Sequence, residues 1–421
     1  MYKHPMTKRA LLIAFHFPPQ AASSGIQRTL SFSRHLGRYG WEPMVLSAHP
    51  RAYNQQNPSQ LASVPPELLV RRAFALDSKH HMGIKGRYPE LLALPDRWIS
   101  WWLGAVPQGL AMIRRHRPQV IWSTFPVATA HLIGLTLHRL TGLPWIADFR
   151  DPMLQPSHPT SRMQRKLYGW IEHQTIMRCH TAVFTTHGAM NSYRTRFPQL
   201  PASKFVVIEN GYDEDGFAPG GDQRPPAVAR AERPVTLVHS GVLYQTGRDP
   251  STLFEALARL RDAGAIDAQS LRVVLRAPGD VDAVRKLAQR LTVADIVDVR
   301  EPVPYREALN EMLDADGLIV FQGTPFNNQI PAKVYEYFRA RKPILGLVDP
   351  AGETANVLRA AGFDSVVDMN NVDQVMSAIT LFISQARDGQ AHVASEALVA
   401  ASSRVHRAGQ LAQLFDSAGS P

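Results

Sequence analysis

Cysteine is nearly absent: Cys179 is the only one in 421 residues. A single thiol excludes an internal disulfide framework and fits a reducing compartment. Long apolar runs are missing too. No window approaches the 18 or so continuous apolar residues that a spanning helix needs, so none is expected. Residues 1–9 pass directly into a strand-like run without a small-residue cleavage site, and no cleavable leader is expected. No His/Cys/Asp cluster has metal-ligand spacing, which argues against a metal site and a metal cofactor. Neither a dinucleotide-binding G-x-G-x-x-G nor a P-loop is present, and no internal repeat or low-complexity tract interrupts the chain. Acidic residues are scarce in one half only. Residues 1–215 hold 25 Lys and Arg against 12 Asp and Glu, whereas the remainder holds 21 against 24. The first half therefore favours an anionic partner such as a membrane surface, a lipid-linked phosphate or nucleic acid. No recognised nucleic-acid module accompanies the charge, so nucleic acid is set aside.

What is present is alternation. With 45% hydrophobic and 19% charged residues the chain is globular, and its length suggests about two domains. Short apolar strands alternate with helical stretches twice over, separated by a proline-rich segment. The expected layout is a first Rossmann-like domain over 1–217, a linker over 218–234, a second Rossmann-like domain over 235–395, and C-terminal helices over 396–421. The strand 10–15 runs into a small-residue loop, 16–25, and a helix from about Ile26. That is how α/β folds hold phosphates, and also how they make an ordinary βα turn. The strand 144–152 ends in Asp148, Arg150 and Asp151, where ligands bind in such sheets, although neighbouring opposite charges commonly just pair.

The most informative stretch is 327–344, NNQIPAKVYEYFRARKPI. It predicts an amide-rich loop, a helix opened by Pro331, then a strand. Lys333 sits in the first helical turn, near the positive end of the dipole. This is unfavourable for a cation unless an anion binds there. Glu336, three residues on, shares its face.

Here the chain resembles the nucleotide-sugar site of the retaining group 1 (family 4) glycosyltransferases, whose helix carries a Glu, seven residues, and a second Glu before a Lys/Gly-Pro-Ile/Val strand. Glu336 takes the second position, and Asn328 stands where the first Glu is usual. The resemblance spans nearly the whole chain. It is specific at 326–348, moderate at 239–250 and 143–152, and weak at 16–28. It implies the two-domain GT-B architecture, two Rossmann-like domains facing across a cleft, with the final helix returning to the first domain. It also implies transfer of a sugar with retention from a nucleoside-diphosphate donor, here a UDP-sugar, to a glycan or lipid-linked acceptor of the cell envelope or an exopolysaccharide.

By the same resemblance Gly25, Gly241, Arg248, Glu301, Lys333 and Glu336 contact the donor, with Glu301 beside the nucleobase. Ser24, Arg28, Asp148, Arg150 and Asp151 face the acceptor. Arg248 and Lys333 would steady the leaving diphosphate without a metal or other cofactor, because preorganised donors are the largest catalytic contribution available there. A charged acceptor at Glu336 suits two ribose hydroxyls. Asn328 can reach the sugar ring but brings no charge. His16 and His187 could serve as bases, although a lone histidine is more often structural.

Trp98, Trp101 and Trp102, beside Arg114 and Arg115, have the composition of a membrane contact, the alternative being a helix with its aromatics in the core. The expected location is the cytoplasm, with peripheral contact at the cytoplasmic face of the membrane. Rival readings are a nucleotide-sugar epimerase on the same scaffold and a non-catalytic nucleotide-sugar-binding regulator.

Overall fold

The computed structural model describes residues 8–21, 25–81, 93–155, 158–217 and 233–419. Ser24 and residues 218–232 of the expected linker lie outside them. The chain divides into two compact units, Met1–Asn210 with Arg404–Pro421, and Gly211–Ser403.

In the first unit seven parallel strands run in the order β3-β2-β1-β4-β5-β6-β7. They are β1 (Lys8–Ile13), β2 (Trp41–Ala48), β3 (Leu69–Ala73), β4 (Val120–Thr124), β5 (Trp145–Arg150), β6 (Thr181–Phe184) and β7 (Phe205–Val207). Strands covered on both faces read as continuous apolar runs. Ala10–Ile13 of β1 and all of β4 and β5 are buried accordingly. The helices are α1 (Gly25–His35), the short α2 (Ser78–His81), α3 (Ser100–His116), α4 (Ala128–Thr141), α5 (Arg162–Arg178) and α6 (His187–Arg196). Side chains of α3 to α6 bury into one core; α1 and the C-terminal helix Arg404–Gly419 cover the opposite face. On that face Phe415 packs edge-on against Trp41 at 5.1 Å, and Arg407 pairs with Glu209.

The second unit repeats the plan with six parallel strands in the order β10-β9-β8-β11-β12-β13. These are β8 (Val235–Ser240), β9 (Leu271–Arg276), β10 (Val297–Arg300), β11 (Gly317–Gln322), β12 (Ile344–Val348) and β13 (Val366–Asp368). In each sheet strand order reverses once, between β1 and β4 and between β8 and β11. Loops leaving the carboxyl ends on either side of such a reversal diverge and leave a crevice, where open α/β sheets bind ligands.

The expected membrane contact is corrected here. Helix α3 begins at Ser100, so Trp98 precedes it and shares no helical face with the other two. Trp101 is fully buried and lies 5.6 Å from Phe15. Trp98 donates Nε1–H to the Ala52 carbonyl and Trp102 donates to Thr136 Oγ1, both packed against the same core. All three therefore pack into the core of the first unit, Trp102 joining α3 to α4, and burial of these rings outweighs any display of them. Arg114 and Arg115 are exposed in the last turn of α3, where they complement the helix dipole.

Candidate active site

In the second unit the candidate residues gather at the β8/β11 reversal. Strand β8 ends at Ser240, and Gly241 follows with φ +134°, a conformation that suits glycine alone. The helix Lys333–Ala340 starts with Lys333 itself, two residues after the proline expected to open it. Lys333 Nζ donates to the Ser240 carbonyl at 2.6 Å and approaches His239 Nε2 at 3.5 Å. His239 Nδ1–H donates to the Ile319 carbonyl at 2.9 Å, which leaves Nε2 as the acceptor facing the ammonium. Burial, then the neighbouring Arg248 charge, push Lys333 down to about 7. Burial, then the charge on Lys333, hold His239 well below the ordinary imidazole range, hence neutral.

Arg248 reaches the same place from the loop after β8. Its Nε–H donates to Gln322 Oε1 at 3.0 Å, at the end of β11. Its guanidinium lies 5.2 Å from the Tyr244 ring and 5.6 Å from the Phe326 ring. Gly247, with φ +90°, fits against Phe326, and its carbonyl accepts from the Gly323 amide at 2.7 Å. Two cations and a helix N-terminus thus converge. Such an array is unfavourable by itself and becomes favourable when an anion enters.

Glu336 lies one turn along from Lys333. Its carboxylate accepts from the Tyr305 hydroxyl at 2.8 Å, and the Tyr305 ring is 53% exposed. Asn328 is exposed at the loop tip after β11. Its neighbour Asn327 turns the other way, its side-chain amide donating to Asp349 Oδ2 at 3.1 Å and its backbone carbonyl accepting from the Glu353 amide. Glu301 follows β10 at the sheet edge, exposed, 3.6 Å from Arg285. It shares the carboxyl edge with the others but is two strands from β8.

In the first unit the candidates divide. Arg28 and Asp148 form a buried bidentate pair at 2.8 and 2.9 Å. Arg28 also donates to the carbonyls of Ile208 and Glu209, and Thr124 Oγ1 to Asp148. Asp148 pairs with Arg28, then, and not with its neighbour Arg150. These two side chains tie α1, β4 and β5 together, which leaves them little capacity for a ligand.

Arg150 bends away instead. It has φ +58°, and β5 slips its register against β6 between Asp148 and Arg150. Its NH1 reaches the start of α1, where a Cβ on Gly25 would lie 2.7 Å from it and 3.2 Å from His16. Burial lowers the pKa of Arg150 and raises that of Asp151. His16 Nδ1 pairs with Gln20 at 2.6 Å, and burial lowers its pKa to about 4. Gly25, Arg150, Asp151 and His16 therefore form one group at the carboxyl end of the first sheet. Among the described residues no three His, Cys, Asp or Glu side chains are grouped to hold a metal ion.

Residues 25–211 match the family model of the glycosyl transferase 4-like domain. Most of the first unit is thus similar to a glycosyl transferase 4-like domain. The match falls on the half where the motif resemblance is weaker, so it is support from a separate part of the chain. Among solved structures, sucrose-phosphate synthase from Thermosynechococcus elongatus superposes with TM-score 0.64 at 13% identity, covering 97% of this chain and 98% of that one. Anabaena Alr3699/HepE in complex with UDP gives 0.65 at 13%, covering 97% and 100%. A putative UDP-N-acetylglucosamine 2-epimerase from Listeria monocytogenes gives 0.60 at 12%, covering 97% and 96%. No curated protein matches the sequence. At these identities the likeness is one of fold: two Rossmann-like units, each built on a parallel sheet, as in the GT-B fold.

Sequence reasoning missed His239, Gln322, Tyr305, Tyr244 and Phe326, which orient Lys333, Arg248 and Glu336. Only His239 carried a local signal, standing at a strand end two residues before Gly241.

Proposed function

We propose that the chain is a glycosyltransferase that moves a sugar, with retention, from a UDP-sugar to a glycan or lipid-linked acceptor of the cell envelope or an exopolysaccharide. The observation that carries this reading is Lys333. Its ammonium is desolvated at a helix N-terminus, lies against Ser240 and is driven towards neutrality beside Arg248. A diphosphate reverses that penalty, and the charge developing on the leaving phosphate strengthens the same contacts.

Arg248, held side-on by Gln322 and its two flanking rings, supplies the second cation. Glu336 accepts from the ribose hydroxyls, with Tyr305 orienting its carboxylate. Asn328, exposed at the loop tip, hydrogen-bonds the transferred sugar without adding charge. Arg150, Asp151 and Gly25 are the acceptor-side candidates that Arg28 and Asp148 leave available. No protein nucleophile and no metal is required.

The test is calorimetric titration of the whole protein with UDP, UDP-glucose, ADP and GDP, followed by product analysis with a lipid-linked acceptor. Binding of UDP in preference to the purine diphosphates supports the reading, and absence of binding to all of them overturns it. A 2-epimerase, the reading that the Listeria neighbour suggests, would convert the donor with no acceptor present.

A further inference from the structure

Helix α5 has an apolar stripe on both sides. Tyr168, Ile171 and Ile176 point into the core, as expected. On the outer side Met163, Trp170 and Met177 are 50%, 48% and 38% exposed. Their seven-residue spacing puts them on one line, with half-buried Leu167 between the first two. Arg162 and Lys166 are exposed beside this line and Arg178 is half-buried at its end. The one carboxylate of α5, Glu172, faces inward, buried against Arg196 and the Tyr193 hydroxyl.

The surroundings share this bias. Residues 100–208 contain 12 Lys and Arg but only three acidic residues, Asp148, Asp151 and Glu172. Two of the three are buried and Asp151 is half-buried. The layer made by α3 to α6 therefore shows cations and the apolar side chains of Leu103 and Leu140, and no exposed carboxylate. Cations at helix C-termini, such as Arg115, Arg139 and Arg178, have a structural reason in the dipole. Arg162 and Lys166 have none: Arg162 is the first residue of α5, where a cation is unfavourable, and Lys166, a turn further on, gains nothing from the dipole.

A two-fold dimer through this stripe would bring cations against cations. An anionic bilayer fits both features of the stripe: protruding Trp and Met side chains suit the acyl boundary, and the cations suit lipid phosphates. We propose that the outer face of α5 docks the first unit on an anionic phospholipid membrane, with Met163, Trp170 and Met177 inserted and Arg162, Lys166 and Arg178 on the headgroups. This deepens the reading of a lipid-linked acceptor and can fail separately from it.

The experiment floats the full-length protein with vesicles of phosphatidylcholine, alone or mixed with phosphatidylglycerol, and titrates UDP into the same samples. The protein is expected to float with the mixed vesicles only, and less at high salt. Arg162→Ser/Lys166→Ser/Arg178→Ser should lose about fivefold in partition for each cation removed. Met163→Ser/Trp170→Ser/Met177→Ser should lose severalfold as well, and both variants should bind UDP as the parent does. No flotation with anionic vesicles, or flotation that both variants retain, overturns the proposal. So does a dimer in sedimentation equilibrium that Trp170→Ser dissolves, since the stripe would then belong to a second copy. Loss of UDP binding in the parent would sink the donor assignment and leave the docking result standing.

Discussion

Lys333 occupies the space that a side chain at residue 241 would need. A Cβ on Gly241 would fall inside contact distance of Lys333 Nζ, so the cation reaches the Ser240 carbonyl only because glycine follows the strand. Gly241→Ala should push the ammonium out and weaken UDP binding by about ten- to hundredfold, the range expected for losing a charge-assisted hydrogen bond of ~1.5–3 kcal/mol. Since φ there is +134°, the melting temperature should fall too. Lys333→Ala should reproduce the binding loss without the backbone strain, and calorimetry with thermal melts separates the two.

Proton uptake should accompany UDP binding. The free protein holds Lys333 at about 7, so part of the population is neutral at neutral pH. A bound diphosphate favours the charged form and raises that pKa. Affinity should therefore fall as pH rises through about 7 and on towards 9, and titrations in buffers of different ionisation enthalpy should reveal protons taken up. Lys333→Arg should abolish the pH dependence, because guanidinium stays charged throughout.

Glu336→Gln should weaken binding of UDP by roughly tenfold, as loss of a charged acceptor for two hydroxyls implies. It should leave inorganic pyrophosphate, which lacks a ribose, unaffected. Tyr305→Phe should shift UDP affinity in the same direction by less, since it frees the carboxylate without removing it. Competition titrations check both.

Asp148→Ala should unfold the first unit more readily and not merely weaken acceptor use. Its partner Arg28 would be left buried and unpaired, at a cost of about 3–5 kcal/mol. Replacing both, as Arg28→Met/Asp148→Leu, should recover a large part of the loss in denaturant titration.

Acid should destabilise the first unit through two buried histidines. Burial holds His16 at about 4 and His131 at about 3, against 6.5 in the unfolded chain. Between those values the unfolded state binds more protons, so stability is full above about 6.5 and declines as pH falls towards 4 and then 3. His131→Phe should flatten the lower part of that decline in pH-dependent melts.

Composition and periodicity alone carried the architecture: two runs of short apolar strands alternating with helices imply two parallel sheets, and local pattern suffices for that because burial on both faces demands continuous apolar strands. Lys333 and Glu336 were also readable, since a cation three residues before a carboxylate on one helical face is a local fact. Tertiary structure alone decided which charges meet. Arg28 and Asp148, 120 residues apart, lock onto each other, and Arg150 is turned aside to Gly25. The sequence offered three clustered tryptophans as a surface, whereas folding buries Trp101 completely and leaves Trp170, alone on α5, turned outward. Spacing reports which residues share a face of one element; which face meets the core depends on the neighbours that pack against it.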